Sequence, residues 1–179
     1  MVMVESQSLP ASQGAGPAAG VGLLFLREEE LRLAQDLLLL ATRELARDAD
    51  ALLAQHGLGR AHHRALHFIA RQPGLTVGDL LALLGITKQS LARVLRQLID
   101  NGYIEQRTGD ADRRQRLLHA TDKGRQLFEV LSGTQTSRID AALARLPPEA
   151  RAHVLGFFVG MVDSADRDLL DRLRLTERL

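Results

Sequence analysis

The sequence predicts a mainly α chain with a small two-stranded β wing, and three observations carry that prediction. Apolar residues recur at helical spacing through most of the chain, as in Leu91, Val94, Leu95 and Leu98. Only six residues are aromatic (Phe25, Phe68, Tyr103, Phe128, Phe157 and Phe158), so the 45% hydrophobic content rests on Leu and Ala, which suit helices better than strands. The exception is a pair of short extended runs, Tyr103 to Arg107 and Arg116 to Ala120, around a Gly/Asp/Arg tip. At 179 residues the chain suits one globular domain with extensions, or one built to dimerise.

Residues 1–21 are rich in Gly, Ala, Ser, Pro and Gln and carry only Glu5 as a charged side chain, which predicts a flexible tail. A first long helix is expected from Leu26 to about Gln55, within a dimerisation segment of residues 22–58. Leu31, Leu38, Leu45 and Leu52 recur every seven residues, with Ala34 and Ala41 between them. Leu33, Leu37 and Leu40 form a second apolar strip. One strip can face the chain's own core; the other then needs a partner, which points to a homodimer.

Gly57 and Gly59 break the pattern, and a second helix runs from about Arg60 to Arg71 with Leu66, Ile69 and Ala70 inward. His62, His63 and His67 cluster on it. His63 and His67 have the i, i+4 spacing of a helical metal pair. No His-Glu-x-x-His pattern exists and no carboxylate lies on the stretch, so packed or solvated histidines are the favoured reading. Neither a metal nor a cofactor is expected. After the turn Gln72-Pro73-Gly74, residues Thr76 to Leu84 form a short third helix. Thr76 is its cap, with Val77, Leu80, Leu81 and Leu84 inward. Gly85 makes the tight turn into Thr87.

The stretch Ile86 to Arg125 organises the rest. Behind the cap Thr87, Leu91, Val94, Leu95 and Leu98 fall on one side of a helix. Gln89, Ala92, Arg93 and Arg96 fall on the other, at about 100° per residue. Lys88, Gln89 and Ser90 occupy the first turn, beside free N–H groups. Asn101-Gly102 stops the helix. Helix, glycine turn, helix with a basic exposed face is the helix-turn-helix arrangement, and the two extended runs add a wing. Nine basic residues stand against five acidic ones here, +4 in a chain of formal charge +1, the footprint of a nucleic-acid reader. The bland alternative is a solvated helix and a charged hairpin with no partner. Residues 59–125 are the expected winged helix-turn-helix domain. Its helix would meet double-stranded DNA through Thr87, Lys88, Gln89, Ser90, Arg93 and Arg96, and its wing through Arg107, Asp112, Arg113, Arg114 and Arg116. A guanidinium on a glycine-containing hairpin tip is the natural probe of a narrow, negative groove.

Thr121 caps the next helix, with Asp122 in its first turn. It continues through Leu127, Phe128, Leu131, Ile139, Ala142 and Leu143 to Leu146. Pro147-Pro148 ends it and starts a last helix, Glu149 to about Arg174, with an apolar face of Val154, Phe157, Phe158, Met161 and Val162. Gly156 and Gly160 lie one turn apart on it. Residues 126–179 are expected to complete the dimer.

These residues resemble the MarR family of bacterial winged helix-turn-helix regulators. Gly74-Leu75-Thr76, Asp79-Leu80, the Thr87-to-Gly102 helix, Asp112-Arg113-Arg114 and Ala120-Thr121-Asp122-Lys123-Gly124 carry the likeness, over about Leu31 to Leu173. Gly59-Arg60-Ala61-His62-His63-Arg64 and Thr87-Lys88-Gln89-Ser90 resemble the PetP type. The chain departs from the family pattern at Ala120, where leucine is usual, and at His63, where many members have an aromatic. The resemblance implies a homodimeric transcriptional regulator on a pseudo-palindromic operator, its first and last two helices interlocked with a partner's. Asp112 and Arg114 would pair to stiffen the wing while Arg113 or Arg114 enters the minor groove. It also implies a small, phenolic or otherwise anionic effector near His63, Arg64 and His67.

Other classes have little to stand on. The chain has no cysteine, which excludes disulfides, thiolate metal sites and the peroxide sensing of some relatives. No run approaches the roughly 20 apolar residues of a membrane span, and the N-terminus lacks the basic start and apolar stretch of a signal peptide. A cytoplasmic protein with no membrane partner is expected. No phosphate loop, Gly-x-Ser-x-Gly or zinc-hydrolase signature supports an enzyme. The remaining alternative is a winged helix used as a protein-interaction module without DNA readout.

Overall fold

The computed structural model describes residues 18–109 and 115–173, with side chains from residue 27 onward. The chain divides into a segment of residues 1–43 and a second unit of residues 44–179. In chain order the elements are α1 (Ala18–Gln55), α2 (Arg60–Arg71), β1 (Leu75–Thr76), α3 (Val77–Leu84), α4 (Lys88–Asp100), β2 (Ile104–Thr108), β3 (Arg116–Ala120), α5 (Asp122–Leu143), α6 (Ala150–Met161) and α7 (Ser164–Arg172).

Threonine hydroxyls start three of the helices. Thr76 Oγ1 accepts from Asp79 N at 3.1 Å, Thr87 Oγ1 from Ser90 N at 3.2 Å, and Thr121 Oγ1 from Gly124 N at 3.1 Å, each satisfying an N–H that the helix leaves unpaired. Left-handed glycines end two of them: Gly85 at φ 61° and Gly102 at φ 73°. The first helix begins at Ala18 rather than Leu26, taking in the last residues of the expected tail. Alanine at 18 and 19 favours that extension.

From Leu31 to Leu40 neither apolar strip of α1 is covered. Leu31, Leu33, Leu37, Leu39 and Leu40 are exposed and Leu38 is half-buried. Further along, Ala49 and Leu53 enter the core, while Leu45 and Leu52 stay half-buried. That core gathers Leu66 and Ile69 of α2, Leu80 and Leu84 of α3, Leu91 and Leu98 of α4, Ile104 and Leu118 of the sheet, and Leu127 and Leu131 of α5. No polar or charged residue is buried with them among the described residues.

The structure adds to one expectation and corrects another. The two expected strands form the β2–β3 hairpin, and β1 joins β3 on its other side to make a three-stranded antiparallel sheet, ordered β1-β3-β2. Gly74, at φ 86°, turns the chain so that Leu75 lies opposite Leu118 and Thr76 opposite Leu117. Gly74 N also donates to Leu118 O at 2.9 Å. Two residues are too few to show a period of two, so β1 left no pattern to read. The last helix is broken: Val162 (φ −86°, ψ 135°) and Asp163 (φ −60°, ψ 153°) are extended between α6 and α7. Asp163 takes the N-cap position of α7, a role for which aspartate is favoured. The two parts then differ. α6 buries no residue, whereas α7 puts Leu169 into the core with Leu173 just beyond it. Arg172 Nη2 also pairs with Asp79 Oδ1 of α3 at 3.0 Å. Among the described residues no helix is long and apolar enough to cross a membrane.

Candidate nucleic-acid interface

Helix α4 is two-faced because its sequence is. Leu91, Val94, Leu95 and Leu98 are all buried, each worth about 1.5–3 kcal/mol of transfer free energy, which fixes the helix about its own axis. Gln89, Ser90, Ala92, Arg93 and Arg96 are thereby turned outward, with Thr87 and Lys88 exposed at the start. The Thr87 and Ser90 hydroxyls bond to each other at 2.9 Å, so the cap also orients Ser90. Lys88, Arg93 and Arg96 have no ion-pair or hydrogen-bond partner among the described residues. Lys88, Arg96 and Asp100 rim a cavity of about 520 Å3, whose floor is Val77, Leu81, Leu91, Leu95 and Ile99. Asp100 lies on the same outward face, two turns past Arg93, and limits the basic surface to the first half of the helix.

The hairpin beside it is closed by Gly109 N donating to Gln115 O at 3.1 Å. Ile104, Leu118 and Ala120 anchor it in the core. Arg107 Nε donates to Glu105 Oε1 at 2.9 Å, and Arg116 Nη1 to Thr108 Oγ1 at 3.1 Å across the ladder. Asp112, Arg113 and Arg114, with the expected Asp–Arg pairing, lie outside the described residues.

The charge count overstates what is free of contacts within the chain, for Lys123 and Arg125 are exposed but engaged. Lys123 Nζ donates to Asn101 O at 2.8 Å, at the C-terminal end of α4, and sits 4.4 Å over the Tyr103 ring. Arg125 Nη1 donates to Ala120 O at 2.7 Å and pairs with Asp122. Both cations hold the start of α5 in place. Only a contact map, not a composition, could have separated them from the cations of α4's outward face.

The histidines of α2 have a different setting. His62 Nδ1 accepts from Gly59 N at 3.1 Å. His63 and His67 meet edge-to-face, with centroids 6.5 Å apart, and His67 also abuts Phe68 at 5.4 Å and Phe128 at 5.6 Å. Burial pushes His67 down to about 4, helped by Arg71 and His63. Burial lowers His63 as well, opposed by Asp50. The Nε2 atoms of His62 and His63 are buried without a hydrogen-bond partner among the described residues. Arg64 departs from the pair: its Nη2 donates to Leu84 O at 2.9 Å, at the end of α3. No third metal-ligating side chain joins the histidines among the described residues.

A helix locked by its core side, with an exposed basic face beside a sheet-anchored hairpin, defines the winged helix-turn-helix class. The MarR family model matches residues 56–115. The HTH-type transcriptional regulator PetP of Rhodobacter capsulatus is 48% identical over 152 residues, covering 85% of this chain and 92% of that protein. The chain belongs to the MarR family of transcriptional regulators, in its PetP-type subgroup. The fold is shared with FabT of Streptococcus pneumoniae, solved in complex with DNA (TM-score 0.62, 19% identity, 74% of this chain and 94% of that one). It is shared also with S. aureus MepR in its DNA complex (TM-score 0.56, 21% identity, 71% and 94%).

Proposed function

We propose that the protein acts in the cytoplasm as a homodimer that binds double-stranded DNA at a pseudo-palindromic operator, with α4 in the major groove and the wing in the minor groove. The observation that carries this is the outward face of α4, where Thr87, Lys88, Gln89, Ser90, Arg93 and Arg96 are exposed together. A helix N-terminus with this set can reach base edges, while wing cations gain from phosphates whatever the bases. FabT and MepR, which share the fold, were each solved in complex with DNA, and this supports DNA as the partner. In this reading residues 59–125 form the reading domain, and residues 22–58 and 126–179 supply the dimer faces. Control by a small effector near His63, Arg64 and His67 has its support in two part-buried imidazoles and in His63 Nε2, which has no hydrogen-bond partner among the described residues.

The test is selection of bound duplexes from random-sequence DNA, followed by affinity against salt on the selected and a scrambled duplex. Arg93→Ala should cost roughly 1–3 kcal/mol on the selected duplex and little on the scrambled one. Arg114→Ala should weaken both, and flatten the salt dependence by about one unit of slope per lost phosphate contact. Arg93→Lys should still weaken binding if the guanidinium bridges a guanine bidentately, because lysine lacks the fork. Equal losses for both alanine variants on both duplexes would reduce helix and wing to a charged surface.

A further inference from the structure

Two hydrogen bonds lash α4 to the end of α1, and neither uses a residue of the outward face. Gln97 Nε2 donates to Gly57 O at 2.8 Å. Just beyond the helix, the Tyr103 hydroxyl meets His56 Nδ1 at 3.0 Å, the two rings edge-to-face at 6.1 Å. His56 and Gly57 are the turn that terminates α1. From the opposite side α5 grips the same tyrosine. Thr121 N donates to Tyr103 O at 3.0 Å, the Thr121 hydroxyl donates to the neighbouring Gly102 O at 2.7 Å, and Lys123 covers the tyrosine ring. Tyr103 is buried, and a methyl group at Gly124 would stand 2.0 Å from its carbonyl oxygen.

Holding α4 in the fold does not demand these bonds. Four buried apolar side chains already do that. Gly57 is exposed, so its carbonyl would be hydrated without Gln97. What the bonds add is direction: they pin one helix against two others at chosen atoms. We propose that Gln97 and Tyr103 are positioning residues that fix the reading helix against α1 and α5 and so set the spacing of the two reading helices in the dimer. This rests on the dimeric DNA-binding function proposed above. A two-fold reader must place its helices one helical turn apart, and each inserted base pair moves a half-site by about 3.4 Å and rotates it by about 35°. How steeply affinity falls with spacing therefore measures how stiffly each reading helix is held.

The probe is the duplex that the parent protein selects from random DNA, with versions carrying one or two base pairs inserted or removed at its centre. The proteins are the parent, Gln97→Met, Tyr103→Phe, the double variant and Arg93→Ala. The parent should lose on the order of a hundredfold when two base pairs are inserted, as one half-site disengages. The double variant should bind the original duplex about tenfold more weakly, the scale of lost neutral hydrogen bonds, and lose less than about tenfold on insertion. Arg93→Ala should weaken every spacing alike and keep the parent's penalty. Gln97→Met, a single change near the surface, checks the same flattening should the double variant lose its cooperative melting. A spacing penalty equal to the parent's in Gln97→Met, Tyr103→Phe and the double variant overturns the inference. A parent that selects no sequence, or shows no spacing preference, overturns the dimeric reader instead.

Discussion

His67 stands edge-on to two phenyl rings, and its held-down pKa makes it a source of acid sensitivity. In the unfolded chain it titrates near 6.5; in the folded chain near 4. Above pH 6.5 neither state binds the proton and the residue costs nothing. Between pH 6.5 and 4 the unfolded chain takes the proton first, so stability falls as pH drops. Discounting for partial exposure, the loss is roughly 2–3 kcal/mol. Urea unfolding at pH 7 and pH 4.5 should show a smaller drop for His67→Leu than for the parent. Gly124 makes the second prediction at this scale. Its hydrogen faces Tyr103 O, where backbone meets backbone and no flexible side chain can yield. Gly124→Ala should cost about 3 kcal/mol or more, read as a fall in thermal midpoint of roughly 6–12 °C. Thr121 was legible as a cap because capping is a local event; the need for glycine at 124 was not, since the oxygen it approaches belongs to residue 103.

Among the elements, α7 is the one whose role the sequence disguised. Its apolar residues read as a continuation of α6 and therefore as dimer surface. The break at Asp163 separates them, and α7 joins the packing around α3. Leu169→Ala should cost about 2–4 kcal/mol, as for any buried leucine, and the loss should be independent of protein concentration. A cost that vanishes at high concentration would mean that Leu169 is held by the partner chain and not by the core of its own. The other helices were legible for physical reasons that act within a few residues. Thr76, Thr87 and Gly102 sit where an N-cap or a left-handed turn is chemically required, and the buried side of α4 follows its 3.6-residue period. Strand β1 depends on a partner far along the chain, which leaves no local trace; the α6/α7 boundary did leave one, Asp163 at the N-cap of α7, hidden inside a longer apolar period.

At the scale of the whole molecule, two helices present apolar residues to the outside. Leu31, Leu33, Leu37, Leu39 and Leu40 are exposed on α1; Leu155, Phe157, Phe158, Val159 and Met161 are exposed on α6. Patches of this kind belong to surfaces that meet another chain. Phe157 is 56% exposed and Phe158 48%, so replacing both with Glu takes little from the fold of one chain. The Phe157→Glu, Phe158→Glu double variant should sediment as a folded monomer, and Leu38→Asp with Leu45→Asp as a monomer or an unfolded chain. A parent that sediments as a stable monomer at micromolar concentration would refute the dimer. The sequence revealed both patches as apolar periodicity. It could not reveal that α6 buries none of its residues within the single chain, because period says which side of a helix is apolar and not what meets it.

The ion pair between Asp79 and Arg172 joins residues 93 positions apart, and Leu169 and Leu173 enter the core beside it. On the ribosome those positions are separated in time. At about 5–20 residues per second, α3 waits roughly 5–20 seconds after its own synthesis before α7 has been made. During that interval the patch of α3 that α7 will cover stays open to chaperones and to neighbouring nascent chains. The reading domain therefore matures last at α3, and a chain that ends before Ser164 is left with a sticky, half-finished head.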